Sequence, residues 1–160
     1  MARKDITMTE AELLEFLSEG QKTLQVASSD PDGYPHLVPM WFVVEDGKVV
    51  FRSFSKSQKI LNLRRNPKLT VLAEEGKGYS ELRGAMIKGD ATLIDDAAYC
   101  LDLYVTLASR YPFFAGVEPG ATPEEEVREF FSGHAAKNTA VVVEPIEVVS
   151  WDHRKLSGGY

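Results

Sequence analysis

The sequence contains a single cysteine, Cys100, among its 160 residues. No disulfide can form within one chain, and the reducing cytoplasm is the natural compartment. Histidine is almost as scarce: His36, His134 and His153 stand far apart, without the close spacing of a metal site. Long apolar runs are missing too. The stretch Leu37 to Val44 falls well short of the roughly 20 residues that cross a bilayer, so no membrane span is expected. The segment Met1 to Thr9 carries charges and no apolar core, and no signal peptide is expected. Positive charge is in deficit, 18 Lys and Arg against 24 Asp and Glu, which argues against nucleic acid as a partner. There is no GxxxxGKS/T, HExxH, CxxC or GxSxG signature. Gly76-Lys77-Gly78 precedes a strand pattern rather than a helix, which excludes a dinucleotide fingerprint. Internal repeats and low-complexity segments are also absent.

What is present describes one folded domain spanning residues 1–160. The 44% apolar content suits a chain with a sizeable core. Thr9 and Glu12 have capping-box spacing ahead of Leu13, Leu14, Phe16 and Leu17, which predicts a helix ended by Gly20. Thr23 to Ser29 reads as a strand, Asp30-Pro31-Asp32-Gly33 as a turn, and Tyr34 to Val44 as one long apolar strand. Asp46-Gly47 is a hairpin signal, with Lys48 to Phe54 as the returning strand. A short helix from Ser57 to Arg65 stops at Asn66-Pro67. Strands are expected over Lys68 to Glu74 and Glu81 to Ile94, the latter bent at Gly84 or Gly89. Asp95-Asp96 opens a helix whose apolar face is Leu101, Tyr104, Val105, Ala108 and Tyr111, ended by Pro112. Thr122 is placed to cap a further helix, with Pro123 at its first position and Glu124 to Glu126 in its first turn. A last strand runs from Asn138 to Trp151. About six strands and three or four helices, with connections too short for parallel crossovers, predict a mainly antiparallel sheet or barrel with helices at its ends.

Charge is distributed unevenly. Between Lys48 and Lys68 lie seven basic residues and no acidic one: Lys48, Arg52, Lys56, Lys59, Arg64, Arg65 and Lys68. Removing those charges from the net −6 leaves −13 elsewhere. Ser55 and Ser57 stand where the short helix begins, and a helix start offers free N–H groups to an anion. Two readings stay open on these residues alone: a phosphate cradle, or a solvated basic helix face with Ser57 as a plain N-cap.

The run Gly33-x-Pro35-His36-Leu37-x-Pro39-Met40-Trp41-Phe42, followed by Asp46-Gly47-x-Val49-x-Phe51 and by Ser55-Lys56-Ser57-x-Lys59-x-x-Asn62-Leu63-Arg64-Arg65-Asn66-Pro67, resembles the pyridoxamine 5'-phosphate oxidase-like proteins. Tyr79-x-x-Leu82-Arg83-Gly84-x-x-Ile87-x-Gly89-x-Ala91 continues the resemblance. The ending Ser150 to Leu156 is similar to the branch that uses the deazaflavin coenzyme F-420. The resemblance implies a split β-barrel, a homodimer with a cofactor at its interface, and a flavin- or deazaflavin-dependent oxidoreductase. Such an enzyme passes a hydride to or from a small conjugated or carbonyl substrate. It implies that Leu37 to Phe42, with Pro39, Met40, Trp41 and Phe42 among them, line the ring edge largely through backbone groups, that Arg52 and Ser53 touch the ribityl or phosphate region, and that Ser57 and Lys59 bind phosphate. Arg83 and Gly84 would approach from a neighbouring strand, and Trp151 and Lys155 would close the ring end. Lys56, Arg64 and Arg65 would be spare for the acidic tail of F-420, which favours that cofactor over FMN.

Gln58 stands where the oxidase has an Arg, and the oxidase's substrate-binding C-terminal segment is not reproduced; both point away from pyridoxamine phosphate. The bland readings are that Trp41 and Phe42 are core, that Arg83 pairs with an acidic neighbour, that Trp151 packs, and that His36 is a strand-edge hydrogen bonder. The rival function is a carrier of the same fold that holds a cofactor, haem or tetrapyrrole without turnover. No residue stands out as a protein acid or base.

Overall fold

In the computed structural model, which describes residues 6–156, the run Tyr34 to Val44 forms two strands rather than one. The seven strands are β1 (Leu24–Ser29), β2 (Pro35–Met40), β3 (Val43–Glu45), β4 (Lys48–Phe54), β5 (Lys68–Glu75), β6 (Arg83–Ile94) and β7 (Asn138–Asp152). They form one sheet in the order β2-β1-β5-β6-β7-β4-β3, and each neighbouring pair is antiparallel. β2 and β3 lie at opposite ends of that order, yet only Trp41 and Phe42 separate them. Three residue steps span at most about 11 Å. The two edges are therefore close, and the sheet curls into a split barrel. Apolar continuity concealed this break, because a run of hydrophobic residues carries no mark of where a chain changes partner.

The Asp46-Gly47 hairpin forms as its sequence requires, with φ of 50° and 75° at the two turn residues. β6 and β7 slip register between Lys88 and Gly89, where a Cβ on Gly89 would meet the Glu144 carbonyl oxygen at 2.3 Å. That close approach needs glycine and marks the bend.

Four helices accompany the sheet: α1 (Glu10–Ser18), α2 (Gln58–Arg65), α3 (Ala97–Arg110) and α4 (Glu124–Ala135). Thr9 and Glu12 complete their capping box on α1, and Asp96 caps α3. Thr122 is not the cap of α4. Pro123 takes that position, so no side chain satisfies the first amides there. Phe16, Leu17, Ile60 and Leu63 of α1 and α2 join Val26, Phe42, Phe51 and Val71 in the barrel interior. α3 and α4 pack outside, over Val50 and Ala140. The buried stripe of α3 is Cys100, Leu103, Tyr104, Leu107 and Ala108, while Leu101 and Val105 are only partly covered. The stripe is rotated because the helix packs between the sheet and α4 rather than on the sheet alone. No helix among the described residues is long and apolar enough to cross a membrane.

Candidate functional site

Adjacent residues of a strand point to opposite faces, and β4 uses this to serve two places at once. Ser53 faces α2. Its buried hydroxyl lies 3.0 Å from the Ser57 hydroxyl and accepts a 3.0 Å hydrogen bond from Lys59 Nζ. The chain reaches α2 through a tight turn in which the Ser57 amide donates to the Phe54 carbonyl. Ser57 occupies the N-cap position with extended backbone, but its side chain caps nothing, and no acidic residue stands in the first turn. The early amides of α2 thus keep their positive character unquenched. Burial pushes the Lys59 ammonium below its ordinary pKa, and no carboxylate pairs with it among the described residues. Two hydroxyls, a half-buried ammonium without a carboxylate partner and an open helix start are the kind of groups that can receive a small oxyanion.

The wall beside this cradle is closed by internal partners. Arg64 grips Asp95 with two hydrogen bonds of 2.9 and 2.7 Å, and the Thr139 hydroxyl lies 2.5 Å from Asp95 and 2.8 Å from Ser55. The bonds from Arg64 and then Thr139 hold the Asp95 carboxyl below the usual range. Arg65 donates to the Ser29 carbonyl and to Asn62, which is itself buried against Ser28 and Asp30. Arg64 and Arg65 are therefore not spare cations, since folding already uses them. Lys56, exposed beside the cradle, has no ion-pair partner among the described residues.

Arg52, on the other face of β4, does not join Ser53. Its guanidinium lies 3.7 Å from the centroid of the Tyr104 ring on α3, and Nη1 donates to Asn138 at 3.0 Å. With Thr23, Pro39, Met40, Trp41 and Leu107 it lines a cavity of about 380 Å³. Trp41 stacks on Tyr111 at 4.8 Å and 11° and meets Phe113 edge-on. Phe42 is fully buried in the barrel core, so only its backbone can contribute to a site.

The remaining expected residues gather at the far end of β7. Ser53 pairs with Thr139 near the start of that strand, and Gly84 pairs with Trp151 near its end. The Trp151 ring lies so close over Gly84 that a Cβ there would come within 2.2 Å of it. Arg83 is buried and surrounded by carboxylates: Glu19 at 2.7 Å, Glu75 at 2.8 Å and Asp152 at 3.5 Å. Lys155 donates to the Glu12 carboxylate at 2.5 Å and to the Thr7 carbonyl at 2.9 Å. Within one chain, this group and the Ser53–Ser57–Lys59 cradle are separate.

The pyridoxamine 5'-phosphate oxidase family matches the chain over residues 9–148. The chain belongs to that family. Among solved structures it is similar to a conserved hypothetical protein of Mycobacterium tuberculosis, with 32% identity and a TM-score of 0.84, covering 100% of this chain and 98% of that one. It shares its fold with an F-420 reductase, with 24% identity and a TM-score of 0.64 over 84% of this chain and 94% of that one. It also shares it with a FAD-binding protein of Mesorhizobium loti, with 18% identity and a TM-score of 0.63 over 90% and 94%. A comparison with curated protein sequences gave no match.

Some features of this oxidase-family site left no mark in the sequence. Asn138, which orients Arg52, reads only as the first residue of a strand. Tyr104 reads as one more apolar residue of α3. The idle N-cap at Ser57 was equally hidden, because a serine before a helix signals a cap whether or not its hydroxyl turns to the helix.

Proposed function

We propose that this member of the oxidase family is a cytoplasmic, homodimeric oxidoreductase that binds deazaflavin coenzyme F-420 or FMN and acts on a small conjugated or carbonyl-containing substrate. The observation that carries the reading is the half-buried Lys59 ammonium, held on Ser53 beside Ser57 with no acidic partner. An unpaired cation is costly to desolvate, and a phosphate supplies the missing charge. Ser53, Ser57 and Lys59 would hold that phosphate, and the chain from Pro39 to Phe42 would meet the ring edge. When bound, the cofactor supplies the hydride chemistry. The protein positions it and restricts water. F-420 is favoured over FMN by the Ser150–Leu156 ending and by Lys56, a cation next to the cradle with no ion-pair partner among the described residues.

Lys59→Ala should weaken FMN or F-420 binding by about tenfold to a hundredfold, the worth of one charge-assisted hydrogen bond. Stability should hardly change, because the lost ammonium has no ion pair to break. Riboflavin, which lacks the phosphate, should bind both proteins alike, and Lys68→Ala should bind like the parent. Fluorescence titration checks the three binding results and urea unfolding the stability, and equal FMN affinity in the Lys59 and Lys68 variants would refute the cradle.

Gly84, Trp151 and Lys155 reach the ring in this reading only if a second copy packs against the first. Leu37 and Ile146 are 62% and 72% exposed, an apolar presentation that suits self-association. Sedimentation should therefore give twice the chain mass. A monomer at every concentration would remove these residues, and the shared site, from the proposal.

A further inference from the structure

The Arg52 cavity sits on the opposite face of β4 from the cradle, and it has a chemistry of its own. Every residue that lines it is apolar except Thr23 and Arg52, and none is acidic. Arg52 has no carboxylate partner among the described residues. Among the described residues Nη1 alone of its three nitrogens is engaged, by Asn138, while Nε is buried without a hydrogen bond. Folding has partly buried a guanidinium with no carboxylate beside it and left its Nη2 without a protein partner among the described residues, an arrangement that an anionic ligand would complete. The stacking of Tyr104 against the guanidinium fixes its plane. A fixed planar fork suits a carboxylate. One cation and one hydroxyl match a single negative charge rather than a phosphate dianion, which needs more donors. Trp41, Met40, Pro39 and Leu107 offer apolar surface to the rest of the ligand, and the volume lies at the small end of the range for small-molecule sites, about 300–1,000 Å³.

We infer that this cavity is the substrate's place and that the substrate is a small planar carboxylic acid, its carboxylate on Arg52 and its conjugated body beside Trp41. That it is the substrate's place rests on the flavin-type reading, which brings the ring edge to Pro39–Trp41. That it receives a carboxylate does not.

Calorimetry on the purified full-length protein tests this with benzoate and its neutral counterpart benzamide. Benzoate should bind at least tenfold more tightly than benzamide. Arg52→Met should erase that preference. Thr23→Phe, at an exposed position on the cavity wall where a larger side chain is easily tolerated, should weaken benzoate at least tenfold with Arg52 intact. Lys59→Ala should leave benzoate binding unchanged. If the parent protein does not prefer benzoate, if the preference survives Arg52→Met, or if Thr23→Phe has no effect, the inference is overturned. The parent and Thr23→Phe comparisons decide the matter even if Arg52→Met fails to fold. FMN and F-420 titrations of the same proteins keep the two readings apart. Selective benzoate binding without cofactor binding leaves the carboxylate site standing and removes the redox reading, and the reverse result removes only the carboxylate site.

Discussion

Arg83→Met should lower the unfolding free energy by about 3 kcal/mol at neutral pH, the low end of the 3–5 kcal/mol typical of breaking a buried ion pair. Arg83 is buried where the ends of β5, β6 and β7 meet the end of α1, and it bridges Glu19, Glu75 and Asp152, with Lys22 and Arg154 as the further cations of the cluster. The low end applies because the Glu19 and Glu75 side chains keep 44% and 38% of their surface in water, which screens them. Asp152 is 4% exposed and, among the described residues, keeps only Arg154 as its cation once Arg83 is gone. The effect should depend on pH with a definite sign. Hydrogen bonds from Arg154, with the Arg83 charge as a smaller contribution, hold the Asp152 carboxyl below its ordinary value. A depressed carboxyl stabilises the fold above its unfolded value, near 3.9, and that stabilisation is lost as pH falls through the folded value. The difference between parent and variant should therefore shrink below about pH 4. Urea unfolding at pH 7 and in acid measures both. A variant that unfolds like the parent but fails to bind cofactor would return Arg83 to the cofactor site and contradict the structural role.

The sequence is most informative where local chemistry dictates structure. The Thr9–Glu12 capping box, the Asp46-Gly47 turn and the stop at Asn66-Pro67 depend on residues a few positions apart, and they formed as expected. The glycine bend in β6 was legible for the same reason, though which of two glycines carried it was not. The split at Trp41-Phe42 was illegible, because it depends on which strand each half pairs with. The basic island was legible as a charge pattern, and the structure brings Ser53, Ser57 and Lys59 together within it. Strand alternation then separated Arg52 from Ser53, although they are neighbours in sequence. Arg64 and Arg65 illustrate a further limit. A basic run shows where charge is, while its partners, Asp95 in one case and the Ser29 carbonyl in the other, are set by the tertiary fold.

Arg110→Ala should cost about 2–4 kcal/mol, because each hydrogen bond from a charged donor is worth roughly 1.5–3 kcal/mol and neighbouring ones do not add in full. Helix α1 has no basic residue in its last turn, and Lys22, just beyond it, reaches only the Glu19 carbonyl among the described residues. Arg110 supplies one from the end of α3. Its Nε donates to the Gly20 carbonyl at 2.8 Å, and Nη2 donates to Leu17 at 2.9 Å and Glu19 at 3.3 Å. Nη1 reaches the Phe42 carbonyl at 3.0 Å, in the short link that closes the barrel. One side chain thus ties α1, α3 and the β2–β3 connection together, and alanine takes a donor from each carbonyl, leaving Phe42 with Tyr111 Oη and Glu19 with Lys22 Nζ. Arg110→Lys should recover less than half of the loss, since one ammonium cannot span the same set of acceptors. Arg83 holds the same helix end through the Glu19 carboxylate, so the two residues report on one event, the release of α1 with Phe16 and Leu17 from the barrel. The double variant Arg83→Met/Arg110→Ala should therefore lose less than the sum of the single losses, by at least about 0.5 kcal/mol. A double-mutant cycle by urea unfolding measures this. Strict additivity would mean that the two arginines stabilise independent parts of the molecule and that α1 is not released as a unit.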